Sequence, residues 1–199
     1  SQVTAEDVLA WVRARLSGAR DPVEARRRRN TMHYYTLFLR RFFEWLGLRV
    51  PVPVVAKPRG VSVEALTAED IARLLQAARD PLDRLIVALL FETGLRAREA
   101  IELRLRDVNP ASMTIRVRAG KYGEERLVFY GPLTAQALEE WLRLNPGLGP
   151  NDRLLGVSYS ALYKRLKSLA KRAGLDPSRV RPHVLRHTFA TEALRRGVS

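Results

Sequence analysis

The sequence predicts a mostly α-helical protein of two domains with one small antiparallel β-sheet. Three observations predict it. Apolar residues recur at helical spacing through most of the 199 residues, a proline-rich stretch interrupts them after the first quarter, and two short alternating runs flank a glycine-bearing turn.

The first helix is expected from about Thr4 to Ser17, with Gly18 beyond it. Asp21-Pro22-Val23-Glu24 then offers an N-cap, a proline at the first helical position and an acidic residue behind it. From Tyr35 the apolar residues Phe38, Leu39, Phe42, Phe43 and Leu46 keep helical spacing, a stripe expected to be core, and Gly47 supplies the stop. Residues 50–63 hold three prolines and a glycine with no helical period and read as an extended linker. The expected division is therefore 1–50 for a helical domain, 51–63 for the linker and 64–199 for the larger domain.

Thr67-Ala-Glu-Asp70 is a capping-box-like start, after which Ile71, Leu74, Leu75 and Ala78 mark a buried face. Pro81 opens an apolar helix that runs through Phe91 and ends near Gly94, and a short helix carries Arg96 to Leu103. Met113, Ile115 and Val117 alternate with polar residues, as do Leu127 and Phe129, so a hairpin is expected with Lys121 near its tip. Helices follow at about 132–144, 158–173 and 183–196. In the 158–173 helix Leu162, Leu166, Leu169 and Ala173 face inward.

Charge is the next signal. The net charge is +14, and thirty of the 35 basic residues are arginine. Residues 1–57 carry 11 basic and 5 acidic side chains, residues 58–152 carry 13 and 14, and residues 153–199 carry 11 and 2. Two basic ends around a balanced middle favour an anionic partner, and nucleic acid above all. The consecutive Arg26, Arg27, Arg28 and Arg29 are either solvated or laid against phosphates. Lys164, Lys167 and Lys171 share one helix face, either a backbone contact or an ordinary wet face. There is no cysteine and no apolar run near the roughly 18 residues of a membrane span, and no signal-peptide pattern opens these residues. A soluble cytoplasmic protein is expected.

Three segments carry the chemistry: Thr93-Gly-Leu-Arg96-Ala-Arg-Glu99, Gly120-Lys121-Tyr-Gly-Glu-Glu-Arg126, and His183-Val-Leu-Arg186-His187-Thr-Phe-Ala-Thr191. Taken singly each has a bland reading: Arg96 and Glu99 as a surface pair, Lys121 as a turn lysine. His183 and His187, four apart, invite a metal, but no cysteine or third histidine is placed to help and the glutamate of a zinc-protease motif is replaced. No metal is expected.

In this order and spacing the three segments resemble the tyrosine recombinases, or phage-type integrases, and especially their chromosome-dimer-resolving, Xer-like branch. The family's first arginine motif reads roughly T-G-L-R-x-x-E and is matched by Thr93 to Glu99. Its lysine, in a turn between two strands, is matched by Lys121. Its second motif, H-x-L-R-H-T-x-A-T, is matched at every specified position by His183 to Thr191. The resemblance also takes in the linker and the helix from Tyr35 to Gly47.

Attack on a phosphodiester gives a five-coordinate phosphorane with extra negative charge on its non-bridging oxygens. Two arginines can clamp these with charge-assisted hydrogen bonds and no metal. The resemblance assigns that clamp to Arg96 and Arg186, and proton delivery to the departing 5′ oxygen to Lys121. His183 would hydrogen-bond the phosphate or accept the nucleophile's proton. Glu99 would orient Arg96, and His187 would serve packing. The family's usual second lysine in the turn is absent, with Glu124 or Glu125 near its place. The resemblance further implies site-specific recombination of double-stranded DNA through a 3′-phosphotyrosyl intermediate, no cofactor, a C-shaped clamp of the two domains around the duplex, and a homotetramer on DNA.

The family pattern continues with a further His or Trp and then the tyrosine nucleophile. All six tyrosines here precede His183. The chain is expected to be truncated before its nucleophile, binding DNA without cutting it. A non-catalytic DNA-binding relative, a type IB topoisomerase of the same fold and a basic RNA-binding protein are the alternatives. The close match of His183 to Thr191 favours a recombinase over the second, and the near-neutral middle opposes the third.

Overall fold

Thr4 and Asp21 start the first two helices. The Thr4 hydroxyl accepts from the Asp7 amide at 3.3 Å while the Asp7 carboxylate accepts from the Thr4 amide at 2.8 Å, a reciprocal cap. Asp21 accepts from the Glu24 amide at 2.7 Å, with Pro22 at the first helical position. The computed structural model describes residues 3–58, 64–118 and 125–197. It falls into two units, Ser1–Ser62 and Val63–Ser199.

The first unit holds α1 (Ala5–Leu16) and the 24-residue α2 (Pro22–Trp45). Its small core is Val8, Val12, Met32, Phe43 and Val52. The expected core stripe is only partly core: Phe43 is buried and Leu39 packs against the core, but Phe38, Phe42 and Leu46 are exposed. One short helix and one extended segment cover a single side of α2, so its aromatic stripe is wider than the surface available to bury it. The proline-rich segment is extended but not loose. The Val55 amide donates to Thr36 Oγ1 at 3.1 Å, and His33 Nδ1 donates to the Val55 carbonyl at 2.8 Å.

The second unit contains α3 (Ala68–Ala77), α4 (Pro81–Thr93), α5 (Ala97–Glu102), a 3₁₀ turn at Leu105–Asp107, β1 (Val108–Asn109), β2 (Thr114–Val117), β3 (Arg126–Phe129), α6 (Pro132–Leu144), α7 (Tyr159–Arg172) and α8 (Pro182–Arg195). Its core is organised on α4, where Leu85, Val87, Ala88, Leu89 and Leu90 are wholly buried. α4 packs against α3, α5, α6, α7, α8 and β3. Two carboxylates on α4 tie neighbours to it. Buried Asp83 accepts from Arg165 at 2.7 Å and Arg172 at 2.8 Å, holding α7. Glu92 accepts from the amides of Gly131, Leu133 and Thr134, placing a negative charge at the start of α6, where the helix dipole favours it.

The sheet is antiparallel in the order β1-β2-β3, and β1 is an addition to the expected hairpin. Leu127 and Phe129, the alternating apolar residues of the second strand, face away from the core; they are 61% and 72% exposed. Register is the reason. Partners across a pair share a face, and buried Ile115 and Val117 pair with Val128 and Arg126. Leu127 and Phe129 instead pair with Arg116 and Thr114 on the outer face.

α4 ends at Gly94 with φ +60, and a Cβ there would collide with the ring of Phe189 on α8. Gly94→Ala therefore meets both backbone strain and a blocked contact. It is expected to cost about 2–4 kcal/mol, comparable with truncating a core leucine. Denaturant unfolding measures this, and adding Phe189→Leu should recover only the part due to the collision.

Candidate functional site

The turn after α4 delivers the first arginine. Buried Thr93 donates to the Leu89 carbonyl and accepts from the Leu95 amide at 3.3 Å. Gly94 supplies the left-handed turn and Leu95 is fully buried. The next residue, Arg96, is thereby turned outward, its side chain 66% exposed.

Glu99, in the first turn of α5, grips Arg96 twice. One carboxylate oxygen accepts from the Arg96 amide at 2.7 Å and the other from its guanidinium at 3.0 Å. Arg126, at the start of β3, donates to the same carboxylate at 2.8 Å. The Glu99 side chain is only 12% exposed. Burial alone would raise its pKa, but the bonds from Arg126 and from the Arg96 amide and guanidinium outweigh it and hold it at about 2.

α8 brings the second arginine. Val184, Leu185 and Thr188 form its buried face, and the Thr188 hydroxyl donates to the Val184 carbonyl at 2.9 Å while accepting from the Leu66 amide at 2.9 Å. Arg186, half-buried, donates to the Gly94 carbonyl. Burial lowers its pKa and the fields of Arg96 and Arg126 add to this, with Glu99 opposing. Arg96, Glu99, Arg126 and Arg186 thus lie within one another's electrostatic reach, three guanidiniums around one carboxylate. Arg126 and Arg186 line a crevice of about 520 Å³ together with Gly94, Tyr130 and Phe189.

His183 lies one turn before Arg186 on α8, in part open to solvent and in part covered by the surrounding structure. Burial, then Arg181 and then His187, lower its pKa and favour the neutral ring, which can accept a proton. His187 does not serve packing as expected. It is exposed, one turn along α8 from His183 and outside the stripe of Val184, Leu185 and Thr188. Lys121 lies outside the described residues. Among those described, no group of three or more His, Cys, Asp or Glu is placed to hold a metal ion, and no helix is long and apolar enough to cross a membrane.

The remaining candidate DNA-contacting residues differ in exposure. Lys164, Lys167 and Lys171 are exposed on α7, away from Leu162, Leu166 and Leu169. Arg27 and Arg29 are exposed and Arg26 is half-buried. Arg28 is held by Glu24 at 2.7 Å and also donates to the Ser17 carbonyl, so the four-arginine run does not act as one block. Sequence reasoning missed Arg126. Its signal was a cation opposite an inward valine, legible only once the strand register is known.

Residues 64–199 match the sequence profile of the phage integrase family. The chain is 38% identical over its whole length to the tyrosine recombinase XerA of Saccharolobus solfataricus, of which it covers 67%. It is 35% identical over 68% of its length to XerC of Haemophilus influenzae, covering 46% of that protein. The crystal structure of XerA recombinase superposes with a TM-score of 0.62 at 29% identity, over 98% of this chain and 70% of that one. The Tn1549 transposon integrase in complex with transposon right end DNA superposes at 0.67 with 18% identity, over 100% and 75%. The fold and the sequence define the class: the chain belongs to the phage integrase family. Its relatives within that family include the Xer recombinases, and it spans about half to two thirds of their length.

The depressed His183 pKa sets an expectation. Proton NMR should show this imidazole titrating below the ordinary histidine value of about 6.5. Arg181→Gln should move it upward without reaching that value, because burial remains. A midpoint at or above the ordinary value in the unmodified chain would contradict the environment described.

Proposed function

We propose that the chain is the DNA-binding, phosphate-activating part of a site-specific recombinase that cuts and rejoins duplex DNA through a 3′-phosphotyrosyl intermediate. The observation that carries this reading is the cluster of Arg96, Arg126 and Arg186 around Glu99. It leaves net positive charge beside a crevice in a fold of the integrase family. The basic ends of the chain supply a sequence-independent hold on the DNA backbone. Arg27, Arg29, Lys164, Lys167 and Lys171 are its exposed candidates and Arg26 a half-buried one. The complete enzyme is proposed to work as a homotetramer on its DNA.

In this reading a tyrosine oxygen attacks phosphorus, a bond forms to it, and the bond to the 5′ oxygen breaks. Arg96 and Arg186 hold the non-bridging oxygens as charge builds on them. Lys121 gives the departing 5′ oxygen its proton, and neutral His183 accepts the nucleophile's proton or bonds the phosphate. The nucleophile is proposed to be a tyrosine outside these 199 residues. Tyr130 shares the crevice, but it is buried and burial raises its pKa, which disfavours the phenolate.

The test is covalent capture. The complete gene product should form a denaturant-stable adduct on a nicked duplex. Arg96→Ala or Arg186→Ala should abolish it while weakening DNA affinity less than about tenfold, because many other cations share the backbone. Arg→Lys should fail as well, since a point charge does not reproduce the planar fork. No adduct from the complete product would support a non-catalytic DNA binder instead.

Lys121 has its own test. On a substrate with sulfur in place of the 5′ oxygen, the leaving group needs no proton. Lys121→Ala should therefore be rescued there and not on the oxygen substrate. Equal impairment on both would remove its role as the acid.

A further inference from the structure

We infer that Arg126 is a positioning residue of this site, sharing the Glu99 carboxylate so that Arg96 keeps a net positive charge for the phosphate. The inference rests on the strand-transfer reading above.

The argument begins with the sheet. Val117 is buried and pairs with Arg126, so Arg126 shares the inward face of β2 and β3 while Leu127 faces out. That register aims a cation at α5. Its guanidinium donates to Glu99 at 2.8 Å across 27 residues of sequence, on an oxygen that also accepts the Arg96 amide. An exposed ion pair would carry little weight, but Glu99 is nearly buried and is already bonded to Arg96.

Charge counting shows what the third arginine does. Glu99 paired with Arg96 alone is a neutral couple, so that among Arg96, Glu99 and Arg186 the surplus is one positive charge. With Arg126 the surplus is two positive charges. A phosphodiester carries one negative charge and its phosphorane close to two, so the added arginine favours the transition state over the ground state. Arg126 also begins β3, five residues after Lys121 in the sequence. Its bond to Glu99 ties the start of that strand to α5, the helix that follows Arg96.

The experiment compares the unmodified protein with Arg126→Gln and Arg126→Lys. In the 199-residue chain, carbon-13 NMR follows the Glu99 carboxyl. Arg126→Gln removes a cation and a donor while burial persists, so the midpoint should rise well above about 2, and Arg126→Lys should keep it low. In the complete gene product, Arg126→Gln should slow single-turnover adduct formation on the order of 10–100-fold, the range that outer supports of a charged site contribute. DNA affinity should change little, and Arg126→Lys should restore most of the rate. An unchanged Glu99 midpoint overturns the inference, as does Arg126→Gln cleaving at the unmodified rate. A lowered melting temperature with no rescue by lysine also overturns it, because Arg126 would then merely brace the strand. An unmodified product that makes no adduct defeats the strand-transfer reading instead, and the titration still decides whether Arg126 governs Glu99.

Discussion

Phe189 lies where a side chain on Gly94 would otherwise be, and the second unit depends on that close approach. α4 is enclosed on almost every side, so its end cannot shift without disturbing the packing of Leu85, Val87, Leu89 and Leu90. Because the residue at that end has no side chain and adopts φ +60, α8 can rest directly on the turn. The same turn sends Arg96 outward and offers its carbonyl to Arg186. One contact between two short motifs, 95 residues apart at Gly94 and Phe189, thus brings the two arginines into one site.

The molecule uses the same chemistry twice with opposite results. On one side of α4, Arg165 and Arg172 bond Asp83, and Arg165 also bonds Asp80. Two cations meet two anions and the charge is spent on holding α7. At the other end of α4, Arg96 and Arg126 share Glu99 while Arg186 lies within their field, and the nearby Glu92 is taken up by the amides that start α6. Burial lowers the pKa of Arg186, and the like charges of Arg96 and Arg126 add to this, so the excess carries a cost. It is what an incoming phosphate would relieve, and stored unfavourable charge is how a site can be made complementary to an anion without a metal.

Neutrality at His183 fits this setting. Partial burial first, and then the charge of Arg181, press the ring toward its neutral form.

The helices, their caps and the two arginine motifs were legible in the sequence, because each rests on local rules: Thr4, Asp21 and Thr67 capping their own first turns, Gly94 turning its own backbone. Strand faces and helix coverage were not. Leu127 and Phe129 look like core residues, yet pairing with Arg116 and Thr114 turns them outward, since a strand's face is set by its partner's register. Phe38 and Phe42 look like core residues too, but the segments packed on α2 cover only one side of it. Glu99 with Arg96, three residues apart on a helix start, could be named from spacing. Arg126 could not, because its bond to Glu99 spans 27 residues and exists only once β2 has paired with β3. By itself the sequence determined which residues would carry charge and which turns and caps would form, since those are properties of single side chains and nearest turns. Only the tertiary structure decided which cations are spent on carboxylates and which remain in excess, because that balance depends on distances between distant parts of the chain.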